Sequence, residues 1–137
     1  MAIKLIDVSN DYELPGLEAL LYDIYVPELD RIVGRCEFRN EVGEDLWIYG
    51  QIGYVIYPPY RGHRFAYHAC VEMFKDIKIK KGLQEFIITC NPDNHASKKT
   101  ILNLGGVYLK TIDIPQGHEL HSFAEHQKEI YVISLRE

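Results

Sequence analysis

No apolar run in the 137-residue chain approaches the roughly 20 residues needed to cross a bilayer, and no charged-then-apolar segment opens it. Neither a membrane-spanning helix nor a secretory leader is therefore expected. Cysteine is scarce: Cys36, Cys70 and Cys90 are odd in number and sit in apolar runs. That argues against a disulfide framework and fits a reducing cytosol. Positive charge is not in excess either. A net charge of −5 supplies no general attraction to nucleic acid or to an anionic membrane. Internal repeats, low-complexity tracts and linkers are also missing. These absences leave a soluble, cytoplasmic, single domain spanning residues 1–137 as the expectation.

What is present suits a packed core. Hydrophobic residues make up 47% of the chain and aromatics 12%, with ten tyrosines, which argues against disorder. Residues 3–8, 20–26 and 31–40 are β-prone runs separated by turn residues, the pattern of an antiparallel meander. Residues 9–16 are turn-rich. Residues 47–57 form the longest strand-like run, interrupted by Gly50 and Gly53, and a glycine inside a strand often marks a bulge or a place where something approaches the backbone. Ala66, Ala69, Cys70, Met73, Phe74 and Ile77 recur at spacings of three and four and predict a helix that Gly82 ends. Residues 86–90 then predict a buried strand, 94–104 a second helix closed by Gly105, and 107–112 and 129–135 two more strands. The fold class is α/β in the α+β sense: a mostly antiparallel mixed central sheet with flanking helices. The strand–helix–strand unit in its middle implies one parallel pair.

Residues 51–66, Gln-Ile-Gly-Tyr-Val-Ile-Tyr-Pro-Pro-Tyr-Arg-Gly-His-Arg-Phe-Ala, carry the strongest functional signal. A strand stops at two prolines and turns through a small basic loop into the long helix. Backbone N–H groups, a helix N-terminus and two arginines converge there, an arrangement suited to an anion such as a phosphate. Taken alone, Arg61-Gly62-His63-Arg64-Phe65-Ala66 reads equally as a strand-to-helix turn with solvated arginines.

The wider context resembles the GNAT superfamily of N-acetyltransferases. Their phosphate loop follows Gln/Arg-x-x-Gly-x-Gly/Ala. Arg61 and Ala66 match it, whereas Arg64 stands where the family has glycine. Tyr54, Val55 and Ile56 resemble the family's fourth strand, whose main chain pairs with the pantetheine arm of coenzyme A. Asn94 and Ser97, followed by Gly105-Gly106, match the Asn-x-x-Ser/Ala-helix-Gly segment. There the asparagine caps the helix, reaches the pantetheine, or does both. The resemblance thus implies that acetyl-CoA binds at Tyr54, Val55, Ile56, Arg61, Gly62, His63, Arg64, Phe65, Ala66, Asn94 and Ser97. Two departures matter. The tyrosine that protonates the leaving thiolate in many members is Ile101 here. The helix pair between the first two strands has only residues 9–19 to form in, so it is reduced or absent.

Transfer of an acetyl group to an amine needs a base for the ammonium proton. Glu37 and Glu41 are the candidates, each also readable as a solvated carboxylate. His118, His121 and His126 fit no metal-ligand spacing, so no metal is expected. The cysteines read as core residues, which leaves no nucleophile. Together these features imply an acyl-CoA-dependent N-acyltransferase that passes acetyl directly to a small-molecule or peptide amine. A catalytically weak CoA-binding sensor of the same fold is the alternative. The missing helices would leave apolar surface uncovered, for which a homodimer is the simplest remedy. Neither nucleic acid nor membrane is expected as a partner.

Overall fold

A computed structural model describes residues 1–11 and 18–135. In chain order its elements are β1 (Lys4–Asp7), β2 (Ala19–Val26), β3 (Arg31–Arg39), α1 (Gly43–Tyr49), β4 (Ile52–Ile56), α2 (Phe65–Lys81), β5 (Glu85–Cys90), α3 (His95–Asn103), β6 (Val107–Asp113) and β7 (Gln127–Ser134). Short 3-10 turns stand at Ser9–Asp11, Pro58–Tyr60 and Glu119–Phe123. Among the described residues no helix is long and apolar enough to cross a membrane. The chain divides into two compact units: Met1–Asn40 with Ile52–Gln84, and Glu41–Gln51 with Glu85–Glu137.

The first unit is an antiparallel sheet in the order β1-β2-β3-β4 with α2 packed on one face. Strand alternation buries Tyr22, Ile24, Val26, Cys36 and Phe38, and the helical stripe buries Phe65, Ala69, Cys70, Met73, Phe74 and Ile77. Each large apolar side chain so enclosed contributes about 1.5–3 kcal/mol. Polar ties fix the helix on the sheet. The Tyr22 hydroxyl donates to Asp76 of α2, and Lys80 reaches Asp7 of β1 at 2.5 Å and Asp76 at 2.9 Å. The other face of β2 and β3 carries ion pairs, Asp23–Arg35 at 3.2 Å and Glu37–Arg39 at 3.1 Å, rather than bare apolar surface. This tempers the premise behind the expected dimer. Most of the turn-rich segment 9–16, and of the stretch 9–19 taken as too short for a helix pair, lies outside the described residues.

The second unit is an antiparallel sheet in the order β5-β7-β6, with α1 and α3 packed on it. Its core holds Ile48, Phe86, Ile88, Ile101, Ile114, Ile130, Tyr131 and Ile133. Here one expectation is corrected. The first residues of the strand-like run 47–57, Trp47 to Tyr49, belong to α1. Seven helical residues are too few to show a periodicity, and Trp47, Ile48 and Tyr49 are individually β-prone. Gly50 ends this helix at φ 68, and a Cβ there would lie 3.1 Å from the Ile87 carbonyl oxygen. Gln51 then fastens to β5, its N–H donating to Ile87 O at 2.8 Å and its Oε1 accepting from Ile87 N at 3.0 Å.

Two further corrections concern strand pairing. Every ladder among the described residues is antiparallel, so the parallel pair is not among them. No bulge occurs at Gly53 either: the β3–β4 register is unbroken from Gly34–Ile56 to Phe38–Ile52. Gly53 serves the side chain opposite it instead. The register shifts fall at Ile24/Tyr25 and Tyr108/Lys110.

Candidate functional site: the basic loop and its strand

In the first unit β4 is the last strand of its sheet and pairs with β3 alone. Val55 is 47% exposed, while Tyr54 and Ile56 are half-buried. Beyond Ile56 the two prolines set a 3-10 turn, after which Arg61 folds back so that its Nε donates to Ile56 O at 3.0 Å. The loop is thereby closed onto the strand. Gly62 follows at φ 92 and Arg64 at φ 61, both left-handed, and α2 begins. Phe65, buried to 2% exposure, anchors the first turn.

The positive φ at Arg64 accounts for the glycine that the resembling family has at this position. An L-residue held there costs about 1–2 kcal/mol, a cost glycine escapes. The arginine is accommodated by stacking, its guanidinium 4.6 Å from the centre of the Tyr67 ring. His63 lies against Phe65, ring centres 5.3 Å apart. No side chain caps α2 and its first turn holds no acid. The N–H groups that head the helix thus have no helical carbonyl before them, and Arg61, His63 and Arg64 are exposed around them. Dipole, amides and guanidiniums together make an anion-receiving end.

Glu37 is in the same unit, on β3 directly opposite Gly53 of β4, with its carboxylate accepting from Arg39. The first unit therefore gathers Glu37, Tyr54, Val55, Ile56 and the whole of loop 61–66. Glu41 is in the second unit, just before α1, where its charge acts on Tyr49. Burial, then the hydrogen bond to Glu119 at 2.8 Å, pushes the Tyr49 phenol up to about 12.

Asn94 and Ser97 are also in the second unit. Asn94 Oδ1 accepts from the Ser97 N–H at 3.1 Å, so the asparagine is the N-cap of α3. Ile101 is fully buried in that unit's core. His121 and His126 face each other with Nδ1 atoms 3.2 Å apart, His121 Nε2 lies 3.0 Å from Ile114 O, and His118 accepts from Leu120 N. Among the described residues no group of three or more side chains is assembled for a metal.

All three cysteines are buried. Cys36 is fully enclosed, and burial pushes its thiol up to about 12. Burial raises Cys70 and Cys90 as well. Sequence reasoning missed Arg39 as a partner of Glu37. Its position two residues along the same strand face was the available signal.

Comparison with known proteins completes the picture. The family model described as "Acetyltransferase (GNAT) domain" matches residues 5–107, running through both units. Comparison with curated proteins gives no match. Among solved structures, a GNAT-family acetyltransferase from Bacillus anthracis is 23% identical with a TM-score of 0.66, covering 83% of this chain and 65% of its own. The ribosomal-protein-S5-alanine acetyltransferase from Vibrio fischeri is 16% identical at a TM-score of 0.65, covering 85% and 61%. The microcin C7 self-immunity acetyltransferase MccE, solved with acetyl-CoA and AMP, is 20% identical at 0.63, covering 85% and 61%. The chain thus spans less than two thirds of the length of these structures. The antiparallel sheets, the strand–loop–helix and the model match agree, and the chain belongs to the GNAT acetyltransferase family.

Proposed function

We propose that the chain is an acetyl-CoA-dependent N-acetyltransferase acting on an amine by direct attack. The observation that carries this reading is the uncapped head of α2 behind the Arg61–Arg64 loop. On this reading the pyrophosphate of CoA rests on the N–H groups of residues 62–66, with Arg61 and Arg64 as charged donors and His63 beside them. The pantetheine arm runs along the main chain of Tyr54, Val55 and Ile56. Asn94 and Ser97 are engaged with each other as a helix cap, and their cofactor role is carried by the family resemblance.

Glu37 is the better placed of the two candidate bases, since it shares a unit with the loop. It takes the ammonium proton, and the free amine nitrogen attacks the thioester carbonyl carbon. The C–S bond then breaks, and the CoA thiolate leaves and is protonated from water. Ile101 has no proton to give. A cytoplasmic homodimer remains part of the proposal, supported by the exposed apolar run Val107, Tyr108 and Leu109 on the edge strand β6.

A second reading, a CoA-binding sensor without turnover, is favoured by one observation. The position of the family's acid is occupied by buried hydrocarbon. Thermal shift with CoA and release of free thiol from acetyl-CoA in the presence of amines separate the two. Binding with amine-dependent release supports the enzyme, binding alone supports the sensor, and neither overturns both.

A further inference from the structure

Arg35 and Arg39 are ion-paired with Asp23 and Glu37, whereas among the described residues no carboxylate lies within ion-pair distance of Arg61 or Arg64. The first turn of α2 supplies no acid to them either. In a chain of net charge −5, two exposed guanidiniums three residues apart with no counter-charge mark a place that receives anions.

The two arginines are not held alike. Arg61 is folded back to the strand, its Nε donating to Ile56 O at 3.0 Å. Arg64 leans along the helix instead, with its guanidinium 4.6 Å from the centre of the Tyr67 ring. Three residues of helix advance about 4.5 Å, so the Arg64 charge is held beside the first turn rather than over the N–H groups that head it. The platform is itself fixed. Tyr67 is half-buried, and the His68 ring packs edge-on to it with centres 5.2 Å apart. A guanidinium that rests one face on a ring keeps its N–H edge open, and that planar fork suits a phosphate.

A diphosphate at the head of α2 has the amides, the dipole and Arg61 to meet it. A further anionic group on the same ligand, set off along the helix flank, falls to Arg64. Coenzyme A carries such a group: the phosphomonoester on its ribose 3′ oxygen, one sugar away from the diphosphate. Dephospho-CoA lacks that group and is otherwise the same molecule.

We propose that Arg64, held on Tyr67, reads the 3′-phosphate of coenzyme A and makes the chain discriminate against dephospho-CoA. This rests on the coenzyme A reading above and assigns the Arg64 side chain within it, the Arg64 backbone N–H staying with the diphosphate. Tyr67 is a positioning residue, acting through the guanidinium it supports.

The test titrates the full chain with CoA and with dephospho-CoA by calorimetry. The expected result is a Kd for CoA at least about fivefold lower than for dephospho-CoA, the size of an exposed charge-assisted contact. Arg64→Gly should bring that ratio below about twofold, and Arg64→Lys, which keeps the charge but not the planar fork, should retain part of it. Tyr67→Leu should also lower the ratio, a readout that a merely structural ring would not move. Equal Kd for the two compounds in the wild-type chain overturns the proposal. So does a ratio that survives Arg64→Gly or Tyr67→Leu. An Arg64→Gly variant that weakens both compounds alike overturns it as well, because the guanidinium then belongs to the diphosphate. The two failures are distinguishable: binding of neither compound sinks the coenzyme A reading too, whereas equal binding of both leaves that reading standing and removes only this assignment.

Discussion

Arg61 Nε donates to the carbonyl of Ile56 at 3.0 Å, so the first residue of the basic loop is tied to the last residue of β4. The loop is held from one side by this bond and from the other by buried Phe65, leaving Gly62 to Arg64 as the adjustable part. Gly62 has φ 92 with open space around a would-be Cβ, so a side chain there costs backbone strain rather than a clash. Gly62→Val is expected to weaken CoA binding more than tenfold by calorimetry. Arg64→Gly removes the strain at φ 61 together with the stacking on Tyr67, two effects of about 1 kcal/mol each and opposite sign. It should leave the melting temperature nearly unchanged and weaken CoA less than tenfold. Abolished binding in Arg64→Gly would make that arginine the principal phosphate ligand.

The cysteines should be chemically silent in the folded protein. Cys36 and Cys70 are fully enclosed, and burial raises the thiols of both, Cys36 to about 12. Iodoacetamide at pH 7.5 is expected to label none of the three before unfolding. Mass spectrometry after incubation with acetyl-CoA alone should find no acetyl-enzyme. An adduct that disappears in Cys36→Ala would refute direct transfer.

Lys80 links β1 to α2 through Asp7 and Asp76, and its effect should depend on pH at the extremes only. At Asp7 burial pushes the carboxyl up, but the hydrogen bonds from Lys80 and Ser9 outweigh it and hold it below its ordinary value. Hydrogen bonds to Asp7 and Asp76 hold Lys80 above its own ordinary value. A depressed acid stabilises fully above its unfolded pKa and loses this as pH falls through its folded one. A raised lysine stabilises fully below its unfolded pKa and loses this as pH rises through its folded one. Lys80→Met should therefore cost about 0.5–1 kcal/mol, allowing for solvent screening, across pH 5 to 9. Chemical denaturation should show the difference from wild type shrinking below about pH 4, the ordinary carboxylate range. A constant difference down to pH 2 would place the lysine's contribution elsewhere.

Elements with a clear apolar pattern were legible from residues alone: α2 through its stripe, β3 through alternation, β2 as a β-prone run before a turn, and β5 as a short, continuously apolar run. Asn94 as a cap and Gly105 as a helix end were legible for the same local reason. What escaped depends on partners distant in sequence. The seven residues of α1 are helical although three of them favour strands, because Gly50 and Gln51 fasten their end to Ile87, 36 positions on from Gln51. Gly53 read as a bulge because nothing local says that Glu37 lies across from it. The left-handed turn at Arg64 was hidden because an arginine gives no hint of a positive φ. For the candidate site, residue types and order were readable, while the placing of Gly53 against Glu37 and Arg39 required the register of β3 on β4.

Ile101 is fully buried, and a Cβ on Gly106 would approach its Cγ2 within 2.5 Å, so the site of the family's acid is tightly filled. Ile101→Tyr should overpack this core, destabilise the protein by about 1–3 kcal/mol in urea titration, and fail to raise turnover. With water protonating the thiolate, kcat/KM should climb with pH as base and amine lose their protons, then level off. A tyrosine acid would add a falling limb near its ordinary pKa of about 10. The phenols of Tyr49 and Tyr131 are pushed up by burial and by their hydrogen bonds to Glu119 and Glu129, which moves any such limb higher still. A descending limb above about pH 9 that vanishes on one tyrosine-to-phenylalanine change would show that the chain has recruited a replacement acid.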